Sequence, residues 1–150
     1  MSRINYGRVL SGGLLAGVIL TAAEFLLTGL FIRDRWLEAL ERLGVEAPGV
    51  GVTILYVFMT LILGVTIVWL YAAIRPRYGA GPRTAVCAGL LVWFLVWLWG
   101  FAGGTIWGFF PGDLVVIVCA WGLVEVVLAS LAGAWLYGEE DDVQTAEIAM

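Results

Sequence analysis

Polar residues along this chain fall in short islands, and four apolar runs lie between them: Val9 to Ile32, Val50 to Ile74, Thr84 to Gly103 and Leu114 to Tyr137. A helix needs about 20 apolar residues to cross roughly 30 Å of hydrocarbon, and each run meets that need. Each must be helical, because a backbone N–H or C=O left unpaired in lipid costs several kcal/mol. The pattern predicts an all-α fold, a four-transmembrane-helix bundle over residues 1–137. An acidic tail follows at 138–150.

The islands carry patterns of their own. In "RDRWLEALERLG", 33–44, Trp36, Leu37, Leu40 and Leu43 recur at helical spacing. Asp34 is a candidate N-cap, Glu38 and Arg42 an i,i+4 ion pair, and Gly44 a natural stop. A short amphipathic helix is expected after the first span, lying in the membrane interface or capping the bundle. "RPRYGAGPR", 75–83, reads as a turn. "GFAGGTIWGFFPGD", 100–113, reads as a tight interfacial loop or a shallow re-entrant segment, with Asp113 a candidate N-cap. "GEEDDVQTAEIAM", 138–150, reads as a solvated acidic tail. A faint echo pairs "WLY" at 69–71 with 135–137 and "GLL" at 13–15 with 89–91, which suits a duplicated two-helix hairpin.

Composition sharpens the picture. Only 13% of residues are charged, against about 25% in soluble domains. There is no His, and all eight basic residues are Arg. Imidazole-held haem or zinc and any Lys Schiff base therefore have no ligand here. No metal and no cofactor is expected. No nucleophile–base pair and no phosphate-binding loop is present, so no enzyme is expected. A net charge of −4 argues against nucleic acid. If the third and fourth runs are antiparallel, Cys87 and Cys119 fall at opposite membrane faces, too far apart for a disulfide, and both read as small packing residues. The expected partners are the lipid bilayer and other membrane subunits or a second copy.

The arginines suggest an orientation. Arg3 and Arg8 precede the first run, and Arg75, Arg77 and Arg83 lie between the second and third. Positive-inside counting places these segments, and both termini, in the cytoplasm. The first run continues past Ala23 to Ile32, so an uncleaved span is expected rather than a signal peptide. The "WLY" phrases are expected at the cytoplasmic interface, and Trp36, Trp99 and Trp107 at the opposite one.

Two carboxylates interrupt the apolar runs: Glu24 in "TAAEFLL" and Glu125 in "GLVEVVL". An ionisable group near the bilayer centre costs on the order of 2.5–3.5 kcal/mol even on a lenient scale, so it should face protein or a cavity. The faces agree. Gly13, Gly17, Thr21 and Thr28 share helical spacing with Glu24, and Trp121, Gly122, Ala129 and Gly133 with Glu125. These are stripes of small or polar residues suited to helix contact. If the first and fourth helices are neighbours, the carboxyls differ in depth by roughly 5 Å and can approach. No Arg lies within the runs, so at least one of the pair is expected to carry a proton at neutral pH. The stripes suit interhelical glue or a proton- or cation-linked site with Trp121 as a wall.

The phrases "INYGRVLSGGLLAG", "EFLLTG", "WLEAL", "IVWLYAAIRPRYG" and "WGLVEVVLASLAGAWLY" resemble a family of small bacterial four-helix inner-membrane proteins of unknown function. The resemblance covers residues 4–137. It implies the four-span fold, a bacterial plasma membrane location and a role for the phrases around Glu24 and Glu125; it implies no activity. Small size, few polar residues in the spans and no evident aqueous path make a small accessory or structural subunit of a membrane complex or homo-oligomer the expected function; the alternative, favoured by the paired carboxylates, is a proton-linked transporter of a small or cationic solute using Glu24 and Glu125.

Overall fold

Asn5 starts the first helix, its side chain accepting from the Arg8 N–H at 3.2 Å. That bond satisfies one of the orphan donors at a helix start. The computed structural model describes the backbone of residues 4–148 and the side chains of residues 4–138. Arg3 and the acidic side chains beyond Gly138 lie outside the described residues. Helix α1 (Tyr6–Leu26) runs on through a π-helical turn, Leu27–Phe31, into the short α2 (Arg33–Arg42). Helix α3 (Val50–Tyr78) follows. Helix α4 (Pro82–Trp93), a second π-helical turn at Phe94–Leu98 and α5 (Trp99–Ile106) form one continuous rod, and α6 (Gly112–Ile148) closes the chain.

Four stretches are long and apolar enough to cross a membrane: Tyr6–Phe31, Val50–Tyr78, Pro82–Ile106 and Gly112–Gly138. The fold is the expected all-α four-span bundle, with no strand among the described residues. Helix α1 packs against α3 and α6, and α4 packs against the same two; α3 and α6 also touch each other. The outward faces carry Leu10, Leu14 and Val18 on α1, Ile54, Leu55 and Phe58 on α3, and Val116, Val124 and Leu128 on α6. Apolar side chains on the outside of such helices suit hydrocarbon as solvent.

Glycines set the helix spacing. A Cβ on Gly13 would run into the Val65 backbone, and one on Gly17 would stand 2.7 Å from the Leu61 Cα. One on Gly64 would stand 2.6 Å from the Gly17 Cα. Helices α1 and α3 are therefore in backbone contact, the small-residue packing that lipid-embedded helices favour. On its other side α1 meets α6, where a Cβ on Gly12 would stand 2.5 Å from the Gly133 carbonyl oxygen. Between α4 and α6, a Cβ on Gly89 would stand 2.7 Å from the Ser130 hydroxyl. The two offsets of the sequence echo carry the Gly13·Gly64 contact of the first hairpin onto the Gly89·Ser130 contact of the second. The matching contacts fit the hairpin duplication that the echo suggested.

Several local expectations are corrected. Ile32, not Asp34, is the N-cap of α2, and Asp34 sits in its first turn. Asp113 likewise lies in the first turn of α6 and pairs with Arg35 at 3.2 Å. Glu38 and Arg42 do pair, at 2.6 Å, and Gly44 takes the left-handed φ of 67° that ends the helix. Helix α2 lies across the end of the bundle with Ala39 buried, and Trp36 stacks on Phe110 at 5.7 Å. Leu37 and Leu43 remain exposed. The 100–113 segment resolves into α5 and a turn in which Gly108 has φ 78°. Of the "WLY" phrases, Trp69 and Trp135 face outward. Tyr71 and Tyr137 instead pack edge-to-face inside the bundle, centroids 5.9 Å apart. The Tyr71 hydroxyl accepts from the Gly81 N–H at 3.2 Å, Arg75 lies over the Tyr137 ring, and the turn between α3 and α4 is thereby tied to the core. The backbone of α6 stays helical through Ile148. The preformed span supplies the nucleus that an isolated acidic segment would lack.

Candidate functional site

The antiparallel register of α1 and α3 is fixed by Gly13 beside Val65 and Gly17 beside Leu61. Continued about two turns toward the α2 end, it brings Tyr56 to within about one turn of the level of Glu24. The register of α1 and α6, fixed by Gly12 beside Gly133, sets Glu24 level with Trp121 and one turn from Glu125. The side chains bear this out. Glu24 and Glu125 are close enough for their charges to act on each other, and Tyr56 lies beside Glu24 within reach of both. Thr60, one turn from Tyr56, is buried and donates to the Tyr56 carbonyl at 3.0 Å.

Exposure is graded across this cluster. Glu125 is 3% exposed, Glu24 is half-buried, and Tyr56 is 47% exposed on the flank of α3. Neither carboxyl oxygen of Glu125 has a protein partner at hydrogen-bonding geometry, and the buried Trp121 Nε1 has none either. The Glu24 carboxyl and the Trp121 indole nonetheless lie at hydrogen-bonding range of Glu125, so a proton on either carboxyl can be shared between the two. Leaving a buried polar atom unpaired costs about 1–3 kcal/mol, and more when it is charged. No basic residue lies between Arg8 and Arg33 on α1, from Val50 to Ile74 on α3, or from Gly112 to Gly138 on α6. The α4–α5 rod carries no ionisable residue from Ala88 to Ile106.

The other sequence candidates separate into two groups. Trp121 is in the cluster, its ring 5.6 Å from Phe31 at the end of the first π-helical turn. Thr21 and Thr28 are not available to the carboxyls, since their hydroxyls donate to the Gly17 and Glu24 carbonyls at 2.8 and 2.7 Å. Gly13 and Gly17 lie further along α1 and pack on α3 rather than α6. Ala129 is buried in the core, and Gly133 meets Gly12 and Val68. Gly122 faces α4: a Cβ there would collide with the Trp97 indole. Trp97 stands in the second π-helical turn, buried, with the Cys119 thiol 3.6 Å from its carbonyl. Both π-helical turns thus lie near the level of the carboxyls, and π-bulges are frequent at functional sites. Among the described residues no group of three or more His, Cys, Asp or Glu could hold a metal.

Tyr56 was missed in the sequence. A tyrosine six residues into a span reads as an interfacial aromatic. The signal was present in Tyr56, Thr60 and Gly64, a polar and small stripe at four-residue spacing on the second apolar run.

Fold and site together define a multi-pass integral membrane protein with a carboxyl pair inside its bundle. Comparison with protein-family models, curated proteins and solved structures finds no match to this chain.

Proposed function

We propose that the protein binds and releases a proton at Glu24 and Glu125, in step with movement of a small or cationic solute across a bacterial plasma membrane. The observation that carries this reading is Glu125: 3% exposed, beside a second carboxyl, with no basic residue in the surrounding spans to hold it charged. Two adjoining carboxyls without a counter-charge favour holding a proton between them, which is the condition for taking one up and giving it back. The positive-inside count places the Arg8 end and both termini in the cytoplasm, so the α2 end, nearest Glu24, faces outward. No catalytic step belongs to this reading. Proton counting tests it. When purified protein in lipid is stepped from about pH 9 to pH 5, wild type should take up more protons than Glu125→Gln, and equal uptake would refute the reading.

A second reading is a small accessory or structural subunit, or a homo-oligomer. It is favoured by the face of α3, where Val50, Ile54, Leu55, Phe58, Met59 and Ile62 all point away from the bundle. Such a face suits lipid or another membrane helix. Co-purification of a defined set of membrane subunits from native membranes would favour it.

A further inference from the structure

We propose that the turn between α3 and α4 holds an anionic phospholipid headgroup on the guanidiniums of Arg77 and Arg83. The inference is independent of the proton-exchange reading and concerns the end of the bundle opposite α2.

The depth fits. Ile74 ends the second apolar run, and Arg77 follows within one helical turn, about 4.5 Å further along the axis. Arg83 immediately precedes the third run, which begins at Thr84. The headgroup layer extends roughly 5–7 Å beyond the hydrocarbon on each side of a bilayer, so both arginines stand within it. Below the turn, Trp69 on α3 and Leu90 and Leu91 on α4 face outward, giving acyl chains an apolar surface to lie on.

The two ends of the bundle treat their arginines differently. At the α2 end, Arg33, Arg35 and Arg42 stand among Asp34, Glu38, Glu41 and Glu46, and Arg35 and Arg42 pair with Asp113 and Glu38. No acidic residue lies between Glu46 and Asp113 in the sequence, so the α3–α4 turn has none of its own. Arg8 is buried and Arg75 lies over the Tyr137 ring. Arg77 and Arg83 are exposed, and neither makes an ion pair among the described residues.

The turn is held before any lipid arrives. Gly79 and Gly81 take positive φ values of 87° and 127°. The Thr84 hydroxyl donates to the Gly79 carbonyl at 2.7 Å, and the Gly81 N–H donates to the Tyr71 hydroxyl at 3.2 Å. The backbone that carries both arginines therefore needs no ordering on binding, and only their side chains lose freedom. A guanidinium presents a planar fork of donors that matches phosphate oxygens. A headgroup with a bare phosphate suits this pair of cations, whereas the ammonium of a choline headgroup is repelled by it. Phosphatidylglycerol is therefore the fitting class of lipid and phosphatidylcholine is not.

The test titrates full-length protein in detergent micelles with either lipid and counts bound lipid by native mass spectrometry. Wild type should bind phosphatidylglycerol more tightly than phosphatidylcholine. Arg77→Gln and Arg83→Gln should each weaken phosphatidylglycerol binding about fivefold, the contribution of one arginine near an anionic surface, and leave phosphatidylcholine binding as it was. Arg77→Lys with Arg83→Lys keeps the charge and should retain most of the preference, which separates loss of the site from loss of the fold. Arg33→Gln, at an exposed arginine among the acids of the α2 end, should change nothing. Equal binding of the two lipids by wild type would overturn the proposal, as would undiminished phosphatidylglycerol binding when Arg77→Gln and Arg83→Gln are combined. So would a preference that emerges only when Glu139, Glu140, Asp141 and Asp142 are all replaced by Gln, because the chain's own acidic segment would then be the occupant.

Discussion

Replacing Gly64 with alanine adds one methyl group where α3 crosses α1 in backbone contact. Its Cβ would stand 2.6 Å from the Gly17 Cα and 2.5 Å from the Gly13 carbonyl oxygen, where a real contact begins near 3.4 Å. Both neighbours are backbone, so no rotamer change relieves the clash. Helices α1 and α3 must separate by about 1 Å over the contact, losing the dispersion that holds small-residue crossings together. Overpacking of this kind costs roughly 1–3 kcal/mol. Alanine also favours a helix over glycine by about 1 kcal/mol, which offsets part of that. Gly51→Ala is the control. It lies on the same helix, and its Cβ would meet nothing within 4 Å, so it should be neutral or slightly stabilising. Equilibrium unfolding in bicelles, by steric trapping, compares the two. Gly64→Ala should come out less stable than Gly51→Ala by about 1–3 kcal/mol. Equal stabilities would refute the claim that backbone contact at Gly13, Gly17 and Gly64 sets the α1–α3 spacing.

The site makes an unusual demand on stability. Glu125→Leu removes a buried carboxyl and its repulsion with Glu24 from a site of similar volume and should be neutral or stabilising by about 1–3 kcal/mol; a loss of about 1–2 kcal/mol would mean that a glue-type hydrogen bond had been removed. Tyr71→Phe deletes the acceptor for the Gly81 N–H and should cost about 1 kcal/mol, with faster hydrogen exchange at the Gly81 amide; unchanged exchange would show that the bond does not hold the turn.

The spans were legible because lipid allows few ways to satisfy a backbone: run length alone placed all four helices to within a few residues. The extensions at the ends were less legible. Helix α3 carries its last turn through Pro76 to Tyr78, although Pro and Arg there read as a turn. The faces of Glu24 and Glu125 could be read from the small residues around them, but not which helix each glycine meets. Gly13 and Gly17 belong to α3, and the contact with α6 falls to Gly12, one residue away. One position on a helix turns the side chain by about 100°, and periodicity cannot assign that angle to a particular neighbour. Asp34 and Asp113 have the side-chain chemistry of caps. The chain uses them in first turns, where a carboxylate still complements the helix dipole, and Asp113 holds Arg35. The place of Tyr56 beside Glu24 is not legible in the sequence because it depends on a register that only the glycine contacts fix.

The central claim is that Glu24 and Glu125 form an exchangeable carboxyl pair. An infrared titration of the protonated carboxyl C=O band in lipid, from about pH 5 to 9, tests it most directly, with Glu24→Gln and Glu125→Gln identifying the signal. The account predicts a band that ionises reversibly within that range and is lost or displaced in both variants. A band that belongs to these residues but never titrates would contradict it, leaving two sealed carboxyls whose role is confined to holding the helices together.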